Sequence, residues 1–194
     1  MKAPRHLITF VALLLAGQPC RAEDGETEIV ESPGKTISIR QEYEGNFKET
    51  LLFADKELKP VVLAKGECPW PSVYNFAPDE KAVLRIQKTG SGENVTMLYL
   101  IGKNGSVEEV AGFDDGLWKL ADAASPLKRK DLYHTGVSLA SWSADSSTLH
   151  ILLCGSDSKV SGAGIEYRII YDLKAKTFRH EPAPVNPAKS SSNQ

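Results

Sequence analysis

The chain has 194 residues, of which 41% are hydrophobic and 25% charged, with 23 Lys and Arg set against 25 Asp and Glu. That length suffices for one domain with a real core. The charge balance excludes the concentrated basic face that a nucleic-acid groove needs, and the one basic cluster, Lys128-Arg129-Lys130, reads as a solvated face.

In chain order, the first element is a secretory signal. Lys2, Arg5 and His6 lead an apolar run from Leu7 to Ala16, and Cys20-Arg21-Ala22 puts small residues three and one positions before a cut. The run is shorter than the ~20 residues that span a bilayer as a helix. The pattern therefore predicts a signal peptide over 1–22, cleavage after Ala22, a secreted or periplasmic protein, and no membrane attachment afterwards. Gln18 and Pro19 do not suit a lipid-modified Cys20. Cleavage would leave 20 Lys and Arg against 25 Asp and Glu, a net charge of −5.

Strands dominate the region from 23 to 180. "KTISIR" alternates Ile37 and Ile39 with Ser38 and Arg40, the period of two of a half-buried strand. "AVLRIQ", "VTMLYLIG", "TLHILLC" and "EYRIIYDL" are rich in β-branched and aromatic residues. Asn104-Gly105 tolerates positive φ and predicts a type I′ hairpin. One segment departs from this pattern. From Asp114 to His134 the chain is rich in Leu, Ala and Lys, and predicts a short helical insertion. Asp114 or Asp115 is the expected cap, and Ser125-Pro126 the start of a second helix. The tail 181–194 is rich in Pro and Ser without apolar periodicity and reads as disordered.

Two cysteines remain beyond the signal, Cys68 and Cys154. In an exported protein they are candidates for a disulfide closing a long loop. Two ordinary thiols, one of them ending an apolar strand, are the alternative.

The chain also repeats itself. "WSADSSTLHIL" from Trp142 aligns with "FAPDEKAVLRI" from Phe76: an aromatic, a small residue, an Asp two positions later, then a strand. "ESPGKTISI" from Glu31 is a shorter third copy without the Asp. Each copy is followed by a strand, polar turn, strand unit: "LLFADKELKPVVL", "LYLIGKNGSVEEV" and "RIIYDLKAKTFRH". The interval between Pro33 and Pro78 is close to the ~40–45 residues of a four-stranded propeller blade. The pattern resembles the WD40-like repeats of Tol-system and prolyl-oligopeptidase-type β-propellers, whose blades carry an aromatic-Ser-Pro-Asp-Gly-Lys turn. In this chain Glu80 stands where Gly is usual, and Ser146-Ser147 replaces Gly-Lys. The resemblance implies an all-β fold of antiparallel four-stranded blade-like repeats. Three units fall short of the four to eight blades of closed propellers. A partial or small propeller, an open meander or sandwich, and pairing with a second copy as a homo-oligomer all remain open.

No catalytic signature is present, and no residue pattern calls for a cofactor or metal. Cys68 with His134 is the one nucleophile–base combination, and neither residue has a local motif. "GSDSKVSGAG" lacks the Gly-Lys-Ser/Thr ending of a phosphate loop. "CPWPSVYNF" offers Trp70, Tyr74 and Phe76 as an aromatic binding patch or as packing between repeats. Trp118 in the insertion is a further candidate anchor. The leading expectation is a non-enzymatic exported module that binds a protein, peptide or glycan through Trp70, Tyr74 and Trp118. An extracytoplasmic hydrolase using Cys68 or the 114–134 insertion, and a purely structural β domain, are the alternatives.

Overall fold

The computed structural model describes residues 25–160 and 162–181. The expected signal segment, and the expected tail beyond Glu181, lie outside the described residues.

Among the described residues the fold is all-β apart from one α-helix and one 3₁₀ turn. It comprises three four-stranded antiparallel sheets. The first sheet holds β1 (Thr27–Glu31), β2 (Ile37–Tyr43), β3 (Phe47–Phe53) and β4 (Val61–Cys68). The second holds β5 (Ser72–Phe76), β6 (Ala82–Gly90), β7 (Glu93–Ile101) and β8 (Val107–Glu109). The third holds β9 (Leu132–Trp142), β10 (Thr148–Asp157), β11 (Gly164–Asp172) and β12 (Thr177–His180). Each is a meander whose neighbouring strands are consecutive in sequence. The repeat units found in the sequence are therefore the sheets themselves, and together they do not form a closed barrel.

The sheets stack face to face, because alternate side chains of one strand point to opposite faces. Ile37, Ile39 and Leu51 of the first sheet pack on Val83, Tyr99 and Ile101 of the second. The opposite face of the second sheet gives Ala82, Leu84 and Leu98 to a larger core with Leu149, Ile151, Leu153 and Ile169 of the third. Strand β6 is thus covered on both sides, which accounts for its unbroken buried run from Ala82 to Arg85.

Helix α1 (Phe113–Ala124) follows the second sheet. It buries Phe113, Leu117, Trp118 and Ala121 in the larger core. Those positions share one helical face. Gly112, in the left-handed region at φ 66°, is the N-cap, so neither Asp114 nor Asp115 plays the expected capping role. Asp114 Oδ1 instead accepts hydrogen bonds from Thr96 N–H and Oγ1–H, both at 3.0 Å. Ser125 closes this helix rather than opening a second one. A 3₁₀ turn (Arg129–Asp131) follows, and residues 132–134 of the expected insertion already belong to β9.

The hairpin between β7 and β8 also differs in turn type. A type I′ turn needs positive φ at both central residues. Here Gly105 alone has it, at 75°, and its N–H donates to the Gly102 carbonyl at 3.0 Å. This is a turn closed by a left-handed Gly, a bulge-type hairpin.

Candidate functional site

The repeated turn builds the same backbone three times. At its fourth position Lys35, Glu80 and Ser146 all lie in the left-handed region, with φ of 58°, 58° and 61°. Their N–H groups donate to the carbonyls of Ser32, Ala77 and Ser143 at 3.0, 2.9 and 2.9 Å. At the third position Asp79 Oδ1 accepts from Lys81 N–H and Asp145 Oδ1 from Ser147 N–H, each at 3.1 Å. Gly34 occupies that slot in the first turn, so the missing Asp there is a gap in side-chain bonding and not in the turn.

Each turn also docks on the one before it. The Gly34 N–H donates to Glu80 Oε1 at 2.5 Å, and Thr36 Oγ1–H donates to Glu80 Oε2. One repeat later, Asp79 N–H donates to Ser146 Oγ at 3.0 Å. Donor and acceptor occupy the same slots in both contacts. Burial acts to raise the Glu80 carboxyl, but hydrogen bonds from Ser32, Thr36 and Gly34 outweigh it and hold the group below its ordinary value.

Beside this ladder lies a cleft of about 380 Å³ between the first two sheets. Ile37, Phe53, Leu58 and Ile101 give it apolar surface, while Asp55, Asp79, Glu80, Lys81 and Lys103 give it charges of both signs. Its size falls in the range of ligand pockets. Sequence reasoning missed it, because its lining comes from four separate turns and strand ends that only stacking brings together. The one usable signal was the repetition of the turns.

Deeper between the same sheets is a buried polar cluster. Glu49 on β3 accepts at Oε2 from Arg85 Nε and from the Tyr74 hydroxyl, both at 2.5 Å. The side chains of Arg85 and Glu49 are 3% and 0% exposed. Arg85 Nη2 also reaches Cys68 Sγ at 3.1 Å. Burial opposes the Arg85 charge, but Glu49 more than restores it and the guanidinium is held firmly protonated. Burial pushes the Tyr74 hydroxyl far up, with Glu49 adding to it. Burial likewise pushes the Cys68 thiol up against the pull of Arg85, which disfavours the nucleophilic thiolate.

The structure does not assemble the expected site residues. Trp70 is 37% exposed, with Lys88 Nζ 5.4 Å from its ring centroid. Tyr74 points into the polar cluster and stacks on Phe76 at 6.5 Å. Trp118 is a core residue, 2% exposed, with the Arg129 guanidinium 4.9 Å from its ring. Cys68 and Cys154 are free thiols in the first and third sheets. No disulfide joins the pair, and Cys154 Sγ lies 3.1 Å from Ser138 Oγ. His134 stands in the third sheet and Cys68 in the first, and the His134 ring approaches Gly92.

Asparagines staple the second and third sheets. Asn94 Nδ2–H donates to the Val137 carbonyl at 3.1 Å, and Val137 N–H donates back to Asn94 Oδ1 at 2.8 Å. A Cβ on Gly136 would fall 2.5 Å from the Asn94 amide, so that contact requires glycine. Asn94 is therefore committed to packing.

No protein-family model and no curated protein matches this chain. Among solved structures it is similar to Kuenenia stuttgartiensis hydrazine synthase, with a TM-score of 0.40 and 10% sequence identity. That similarity covers 76% of this chain and 39% of the other, so the chain spans well under half of that protein's length.

Proposed function

We propose that this chain is an exported, non-catalytic β-repeat module that binds a peptide segment of a partner protein in the cleft between its first two sheets. The observation that carries this reading is the cleft itself, lined by aliphatic and aromatic surface together with Asp55, Glu80, Lys81 and Lys103. Such a surface suits one or two apolar peptide side chains flanked by charged ones, with preformed walls that cost little to order. Export rests on the basic, apolar and small-residue succession of residues 1–22.

A WD40-like relationship is part of the proposal. Its support is the left-handed fourth position of each turn, where that family's motif places Gly and where this chain has Lys35, Glu80 and Ser146.

Selection of peptides from a displayed random library on the purified protein tests the reading. Selected peptides are expected to share an apolar anchor and to lose at least about tenfold in affinity on Leu58→Arg, which places a charge in the cleft. Peptides that bind the Leu58→Arg protein as well as the unaltered one would overturn the cleft as the site.

A further inference from the structure

The three sheets make one kind of interface twice, and the halves of a third remain at the two ends of the stack. Turn register aligns Ile37 and Ile39 with Ala82 and Leu84, and with Thr148 and His150. The first two of these pairs point toward the following sheet. The residues between them, Ser38 and Arg40, Val83 and Arg85, and Leu149 and Ile151, face the preceding sheet wherever one exists. Among the described residues the first sheet has no predecessor and the third has no successor.

Both unused faces carry exposed apolar residues. Across the first sheet, Ile29, Arg40, Thr50 and Val62 stand in register on four strands, with Ile29 49% and Val62 46% exposed. On the third sheet, Leu139, Leu152 and Arg168 stand in register, with Leu139 58% exposed. His150 and Glu181 line the same shallow depression.

The turn ladder supplies the register. In both existing interfaces a third-position N–H donates to the fourth-position side chain of the next turn. After the third turn the next donor slot is Asp145, and the one unused fourth-position side chain is Lys35. Continuing the stack with another copy would bring Lys35 to the Asp145 turn, where its ammonium, which only donates, would pair with the Asp145 carboxylate instead of accepting from the N–H as Glu80 and Ser146 do in the existing turns. Lys35 pairs with the exposed Glu31, 2.8 Å away, a bond of little weight that is readily exchanged.

We propose that a second copy of this chain docks head to tail, the outer face of the first sheet against the outer face of the third. Such a contact is heterologous and closes only as a ring. Closed propellers have four to eight blades, and of the multiples of the three described sheets only six falls in that range. The assembly is therefore a two-copy ring with two identical interfaces.

Sedimentation velocity of the purified protein at about 50 µM tests this, a concentration well above the micromolar dissociation constants of modest interfaces. The expected species has twice the chain mass. Ile29→Arg and Leu139→Arg, both at exposed positions that leave the folded chain intact by circular dichroism, are each expected to give monomer. A dimer built from two copies of one face would survive one of these changes, whereas the head-to-tail ring survives neither. Monomer for the unaltered protein, a mass above two copies, or a dimer that persists in either variant would overturn the proposal. Leu58→Arg, in the cleft, should leave the dimer unchanged, so failure of the ring and failure of the cleft are read separately.

Discussion

Glu49 and Arg85 are the two residues on which the first interface turns. Two charges taken out of water are costly to hold, and removing one partner strands the other. Arg85→Met is therefore expected to cost about 3–5 kcal/mol, while the double change Glu49→Leu with Arg85→Met should recover most of that loss. Urea denaturation of the three variants measures it, and a double variant no better than the single one would show that the pair is not the coupled unit described here. Little of this was legible in the sequence. Arg85 sits in the middle of a strand, where a charged side chain reads as facing solvent, and its partner lies 36 positions upstream. Asp145 is the opposite case, since its place in the repeated pattern ahead of a strand was visible in the sequence. Hydrogen bonds from Ser143 and Ser147 lower its carboxyl from 3.8 to about 2. The ionised form is the bonded one, so its contribution is complete above its ordinary value and is lost as pH falls through the folded value. Asp79 shifts in the same direction: burial opposes, and bonds from Lys81 and Ser146 prevail. Melting temperature should consequently drop between about pH 4 and pH 2, and Asp145→Ala should flatten that slope.

At the scale of the element, the repeated turn was readable as a turn but not as a joint between sheets. A Pro or an Asp at fixed spacing before the following strand located it three times, with both present only at Pro78-Asp79, because those residues act on their own backbone. Where the fourth-position side chain points depends on the neighbouring sheet, which local spacing does not encode. The same limit hid the helix cap, where Asp114 is drawn to Thr96 of β7 and a left-handed Gly112 starts the helix instead. The joint makes a prediction that separates its two ingredients. A non-glycine residue in the left-handed region costs roughly 1–2 kcal/mol. Lys35→Gly relieves that strain and gives up only an exposed ion pair, so it should stabilise the folded chain by up to about 1 kcal/mol. Glu80→Gly relieves the same strain but removes the acceptor of Gly34 and Thr36, and should give no gain or a net loss. Thermal denaturation of both variants decides it, and an equal gain for Glu80→Gly would mean that the inter-turn bonds carry no weight.

For the whole molecule, the two interfaces are unequal, and that asymmetry sets where the chain opens. Among the described residues, the core between the second and third sheets joins fourteen buried side chains, α1 included, against six between the first and second. Buried apolar area is the main source of stability, at roughly 25 cal/mol per Å². In a linear stack each unit is held only by its neighbours. The first sheet therefore has the weaker attachment, a small apolar core plus a polar cluster whose net contribution is modest. It should detach in a sub-global opening while β6, β10 and β11 stay protected. Native-state hydrogen exchange is expected to show amides of β2 and β3 exchanging at a lower free energy than those of β10 and β11. Val83→Ala, which trims the smaller core on the β6 face turned toward the first sheet, should lower protection in β2 and β3 while leaving the difference between β10 and global unfolding nearly unchanged. Leu84→Ala, one residue along and on the opposite face, should lower protection throughout the second and third sheets, with a cost of about 2–5 kcal/mol. The two substitutions are adjacent in sequence, so a contrast between their exchange patterns can come only from the faces they occupy. Identical patterns would show that the three sheets open as one unit, with the unequal cores making no difference to how the chain comes apart.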